Sequence, residues 1–331
     1  MSDVVRAIAG KFVETLEPRK LLSAALEGTQ LVVTGTAGND TINVFLAAPG
    51  STQVSVKVNN NTQTFDLAAI REIKVFGLRG DDLIQINQTN GVIPRETKLF
   101  GGAGDDSIVG GSARDKIHGD EGDDVVQGGG NKDQIFGDIG DDSIIGGKGK
   151  DRINGGDGDD AMEGNRDDDS LFGGAGSDRM SGGAGRDTLD GDLARDFVNG
   201  DEGDDSVSGG GGDDMVDGGD GNDTVNGQGG NDDLNGEAGD DSVNGGDGDD
   251  DVTGGAGRDR RSGGAGNDDF DDNEADDISD DRGADDTGDN QHGEHEGEHQ
   301  DSGGSGSDDG PTHDLNDDHG SDDAVAQSIL T

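Results

Sequence analysis

Between Gly101 and Asp271 the apolar residues of this chain recur at every ninth position. Ile108, Ile117, Val126, Ile135, Ile144, Ile153, Met162, Leu171 and Met180 begin a series that runs to Phe270, and only Arg261 interrupts it. The 171 residues divide into 19 contiguous nonapeptides without insertion or deletion. Each begins with Gly and carries Asp at its sixth place; the fourth place is Gly in 15 of them, with Ala113, Asn131, Asp167 and Ala194 as departures. Glycine tolerates the left-handed conformations of tight turns, so the Gly-rich half of each unit predicts a turn. One apolar residue between polar neighbours predicts a very short strand of about three residues. A short turn followed by a short strand, repeated, winds into a coil of two units, about 18 residues per circuit, whose strands stack in parallel.

Upstream the same template recurs at looser spacing, in Gly35–Asn43 and Gly77–Gln85. Between these lie strand-like runs: Leu31–Thr34, Thr41–Leu46, Gln53–Val58 with alternating Val54, Val56 and Val58, and Ile70–Phe76. They predict wider coils that cap the stack, as a repeat array requires at its end.

Composition changes the picture in one respect. Of 331 residues only 27% are hydrophobic, with 66 Gly, no Cys and a net charge of −52. That apolar content is below what an ordinary globular core uses. The charge is regional: residues 1–100 are neutral, 101–271 carry −33 and 272–331 carry −19. Such a field repels nucleic acid, and no apolar run approaches the roughly 20 residues of a membrane span. In a stack, the Asp carboxylates would align in one row on each edge and repel by about 0.5–1 kcal/mol per neighbouring pair even in water. Carboxylates and turn carbonyls are an all-oxygen donor set, which suits Ca²⁺ rather than zinc or copper.

The nonapeptide Gly101-Gly102-Ala103-Gly104-Asp105-Asp106-Ser107-Ile108-Val109 and its successors resemble the glycine- and aspartate-rich repeat of RTX proteins of haemolysin type. The resemblance implies an all-β, right-handed parallel β-roll (β-solenoid) with Ca²⁺ held between same-side turns of adjacent coils. It implies as ligands, with turn carbonyls, Asp106, Asp115, Asp124, Asp133, Asp142, Asp151, Asp160, Asp169, Asp178, Asp187, Asp196, Asp205, Asp214, Asp223, Asp232, Asp241, Asp250, Asp259 and Asp268. Asp40 and Asp82 are weaker candidates, with a turn-stabilising role as the alternative. Odd and even units fall on opposite edges, and one ion between successive same-edge turns gives a ceiling of about 17 Ca²⁺. On the even edge Arg114, Lys132 and Lys150 occupy the fifth place where the odd edge has Asp105, Asp123, Asp141 and Asp159, so the odd edge is expected to bind more tightly near the start.

Four segments are expected: a leader at 1–28, capping coils at 29–100, the repeats at 101–271, and a disordered acidic tail at 272–331. Leu16-Glu17-Pro18-Arg19 resembles an LEPR-type motif of bacterial extracellular proteins, and the segment Asp322–Thr331 is compatible with a C-terminal signal for type I secretion. His295-Glu296-Gly297-Glu298-His299 matches the zinc-protease signature H-E-x-x-H, but Gly293 and Gly297 leave no apolar helix to present it, so it is read as tail. His118, at a ninth position, is read as an ordinary surface residue. The expected function is a secreted, extracellular, non-enzymatic calcium-binding β-roll, folded by external Ca²⁺, with a structural, adhesive or matrix role and polysaccharide among its partners. The alternatives are an RTX haemolysin or cytolysin effector, or an accessory module of an extracellular enzyme.

Overall fold

A computed structural model describes residues 24–270 and the short strand 278–279. The leader motif, the H-E-x-x-H segment and the C-terminal signal lie outside the described residues. Within them the protein is a parallel β-roll, two 14-stranded sheets face to face with no α-helix among the described residues. The start is irregular. β1 (Ala24–Glu27), four residues of the segment read as a leader, pairs antiparallel with β2 (Gln30–Thr34). β3 (Thr41–Leu46) carries an antiparallel extension, β4 (Gln53–Val58) and β5 (Asn61–Asp66), which occupies the sheet edge. β6 (Glu72–Arg79) and β7 (Leu83–Asn87) then continue in parallel to β8 (Glu96–Ala103) and β9 (Ser107–Gly111).

From there the offset between paired strands is constant. Ile117 pairs with Leu99 on one side and Ile135 on the other, and Val126 with Ile108 and Ile144. Eighteen residues make one coil, two units per circuit. The eighth-position residues from Ile108 to Val252 are buried, as is Arg261 in their column. They form one continuous apolar core with Leu31, Val33, Ile42, Val44, Ile73, Val75 and Ile84 of the capping coils.

The division of each unit differs from the expectation. Strands such as Val125–Gly130 and Ser143–Lys148 are six residues long, from the seventh place of one unit to the third of the next. Only places four to six form the turn. The sixth, eighth and first places point inward along this strand, since side chains alternate across a sheet. First-position Gly therefore does not supply a left-handed turn. It stands extended in the core, where a Cβ on Gly155 would overlap Oδ2 of Asp160 and approach the Gly173 carbonyl at 2.7 Å. The left-handed conformations occur at the second and fourth places, as at Gly156 (φ 123°) and Gly158 (φ 141°). Asn131 and Asp167 take φ 69° and 72° at the fourth place, so the turn keeps its shape where Gly is missing.

Candidate metal centre

The turn ends where the chain re-enters the strand, and the inward alternation puts the sixth-position Asp at the inner corner of every coil. Each of these carboxylates from Asp106 to Asp259 is buried, none more than 4% exposed. They fall into two columns. The odd-edge column runs Asp106, Asp124, Asp142 and onward to Asp268; the even-edge column runs Asp115, Asp133, Asp151 and onward to Asp259.

Within a column the two carboxylate oxygens have different surroundings. Oδ1 accepts the backbone N–H of the Asp one coil earlier: Asp106 N–H to Asp124 Oδ1 at 2.7 Å, Asp124 to Asp142 at 2.8 Å, Asp142 to Asp160 at 2.8 Å. The even edge repeats this from Asp115 to Asp133 at 2.8 Å and from Asp133 to Asp151 at 2.7 Å. Oδ2 has no hydrogen-bond partner in Asp106 or in any sixth-position Asp from Asp124 to Asp250. A buried carboxylate oxygen without a donor is costly and calls for a cation. Burial raises these carboxyls far above the ordinary range: Asp124 and Asp160 to about 7, Asp133 and Asp169 to about 8. The neighbouring Asp residues of the column push in the same direction, more weakly.

The remaining donors around the turn are backbone oxygens. The fourth-position carbonyl faces the next coil, where a Cβ on Gly122 would overlap the Gly104 oxygen. The third- and sixth-position carbonyls are already taken: Gly122 N–H donates to Ile139 O at 2.9 Å, and Val125 N–H to Asp106 O at 2.8 Å. An unpaired carboxylate oxygen with turn carbonyls is a hard, all-oxygen set that fits Ca²⁺.

The ends of the columns refine the weaker candidates. Asp82 belongs to the odd-edge column: its N–H donates to Asp106 Oδ1 at 2.7 Å, its Oδ2 has no partner, and burial raises it to about 6. Asp40 extends the column, its N–H donating to Asp82 Oδ1 at 2.7 Å, but its own oxygens accept from Thr36 and Asn59. Asp115 likewise heads the even edge with both oxygens engaged, Oδ1 by the Thr97 hydroxyl at 2.7 Å and Oδ2 by Gly111 N–H at 2.8 Å.

The edges differ in charge. On the odd edge the fifth-position Asp residues form a second, outer ladder in the opposite direction, Asp123 N–H to Asp105 Oδ1 at 3.1 Å and Asp141 N–H to Asp123 Oδ1 at 2.9 Å. On the even edge Arg114 pairs with Glu96 at 3.4 Å and Lys150 with Asp168, while the Lys132 charge lowers Asp151 against the rise that burial imposes.

A feature hidden in the linear sequence lies on the outer face of one sheet. His118 stacks between Phe100 and Phe136, at ring distances of 5.3 and 4.6 Å, and Phe76 continues the column beyond Phe100 at 5.0 Å. The signal was aromatic residues spaced by one coil, readable only after the 18-residue circuit is applied.

Comparison with protein families agrees with this geometry. The family described as RTX calcium-binding nonapeptide repeat (4 copies) matches residues 32–44 and, in overlapping windows from 100–135 to 226–260, just over half of the chain. No curated protein matches it. Among solved structures, a hyperactive, Ca²⁺-dependent, β-helical antifreeze protein from an Antarctic bacterium is similar over 63% of this chain and 78% of that one, at 22% identity and a TM-score of 0.33.

Proposed function

The chain belongs to the RTX calcium-binding nonapeptide repeat family, and on that premise we propose that it is a secreted protein whose roll is completed by Ca²⁺ outside the cell and serves a structural, adhesive or matrix role. The observation that carries the reading is the double column of buried carboxylates, which in Asp106 and from Asp124 to Asp250 spend one oxygen on the neighbouring coil and leave Oδ2 without a donor. Without metal, those oxygens oppose folding. With millimolar Ca²⁺ and sites near 10⁻⁴ M, each ion contributes about 1.5–3 kcal/mol. Intracellular calcium would leave the repeats unfolded for export, and extracellular calcium would fold them.

The sixth-position Asp residues and Asp82 are the ligands in this reading, up to about 17 ions within the repeats. The odd edge fills first near the start, because its outer ladder adds negative charge where the even edge carries Arg and Lys. Polysaccharide of a cell surface or matrix is the proposed partner, and the protein is proposed to have no catalytic activity. No helix among the described residues is long and apolar enough to cross a membrane.

Circular dichroism during a calcium titration tests the reading. A cooperative gain of β signal with Ca²⁺ and not with Mg²⁺ is expected; a spectrum unchanged at 10–20 mM Ca²⁺ refutes it. Erythrocyte lysis or casein cleavage by the calcium-loaded protein would favour the effector or enzyme alternatives instead.

A further inference from the structure

We propose that His118, Asp120 and Asp138 form a binding site for one divalent transition-metal ion of the zinc type on the outer face of the sheet, separate from the turn columns. One ligand atom from each of the three lies within 4.8 Å of the other two. Asp120 and Asp138 are paired in register on adjacent strands, and His118 is in register with Phe100 and Phe136. His118 Nδ1 lies 2.8 Å from Asp138 Oδ2. Two ligands each about 2.1 Å from one ion are separated by roughly 3.0–3.4 Å, so only a small opening of this contact admits a metal.

The ring is already oriented. Phe100 and Phe136 sandwich the imidazole with interplanar angles of 6° and 7°, so binding need not freeze its rotation. The Asp120 and Asp138 carboxylates stand side by side on adjacent strands and share a single imidazole. A bound cation relieves that crowding. One nitrogen and two carboxylate oxygens select zinc, nickel or copper over the hard oxygen-seeking Ca²⁺ of the turns. The three side chains line a surface groove of about 650 Å³ shared with Leu78, Arg79 and Ile139, which leaves coordination positions open to water or a small ligand.

The test separates this site from the five histidines of the tail, His292, His295, His299, His313 and His319. The full chain with all five changed to Gln is held in saturating CaCl₂ and titrated with ZnCl₂ by isothermal calorimetry. One Zn²⁺ per chain is expected. His118→Phe in that background extends the Phe column, so its calcium-induced circular dichroism should be unchanged. Its zinc affinity should fall by more than the 10–100-fold that disturbing a ligand's supporting hydrogen bond typically costs. Asp138→Asn should weaken zinc in the same way. Absence of zinc binding in the tail variant, or undiminished affinity in His118→Phe, overturns the proposal. Either result leaves the calcium reading standing, because the calcium titration is read independently.

Discussion

Asp124 Oδ1 accepts the backbone N–H of Asp106 at 2.7 Å, while Oδ2 of the same carboxylate, equally buried, accepts from nothing. The residue type that the repeat pattern marks as a metal ligand is thus also a tie between coils. Substitutions should separate the two roles. Asp160→Asn keeps an acceptor for Asp142 N–H, so it should mainly raise the calcium concentration needed for folding. Asp160→Ala also strands that N–H and should cost a further 1–3 kcal/mol or so in urea unfolding of the calcium-loaded protein. Equal stability of the two loaded variants would remove the tie from the account.

Edge asymmetry gives a second comparison. Asp142→Asn on the odd edge should shift the midpoint of calcium-induced folding further than Asp151→Asn on the even edge, where Lys132 already offsets part of the charge. Calcium titrations of the two variants side by side, followed by circular dichroism, decide the order.

The raised carboxyls fix the direction of a pH effect. Asp124, Asp160, Asp196, Asp205 and Asp241 are at about 7 in the roll, and Asp133 and Asp169 at about 8, against roughly 3.9 in an unfolded chain. The folded state therefore holds protons more tightly, and stability falls as pH rises between those limits. Without calcium, the roll should be most stable below about pH 4 and lose that stability as pH climbs through 6 to 8. With calcium the dependence reverses, because protons compete for the ligands. Far-UV circular dichroism in EDTA at pH 4 and pH 8 checks the first half; a stronger β signal at pH 8 would contradict it.

Glycine substitutions probe why the units tolerate so little at the first place. Gly155→Ala puts a methyl onto Asp160 Oδ2 and should cost about 1–3 kcal/mol as an overpacked core change. Gly229→Ala meets nothing within 4 Å and should be close to neutral. Urea unfolding in saturating calcium measures both.

Arg261 stands in register with Val243 at the eighth place, 5% exposed, with its guanidinium 5.8 Å from the Phe270 ring. A guanidinium over an aromatic face contributes about 0.5–2 kcal/mol, and removing one partner of a buried charged contact leaves the other unsatisfied. Arg261→Leu should lower the thermal midpoint of the loaded roll, and a raised midpoint would show that the charge has no structural use.

The nine-residue phase made the coil length, the core column and the two Asp rows legible, because one apolar and one acidic residue repeat without slippage. Strand length was not legible. Gly155 and Gly156 look alike in sequence, yet one is required for space and the other for a left-handed φ, so counting both as turn shortened the strand from six residues to three. The inserted strand Asn61–Asp66 escaped because its alternation is carried by polar Thr and Gln. His118 looked ordinary because its partners Phe100 and Phe136 are 18 residues away in either direction.

The inner ladder has a sense: the amide of each coil is satisfied by a side chain belonging to the coil that follows it. A tier is complete only when its successor has wound on. Shortening the roll at its two ends is consequently not symmetrical. Loss of a front coil bares carboxylate oxygens, which water hydrates readily. Loss of a rear coil strands amides in the interior corner, where water has poor access. Growth from the N-terminal cap, each turn sealing the one before it, is the order of assembly this polarity favours.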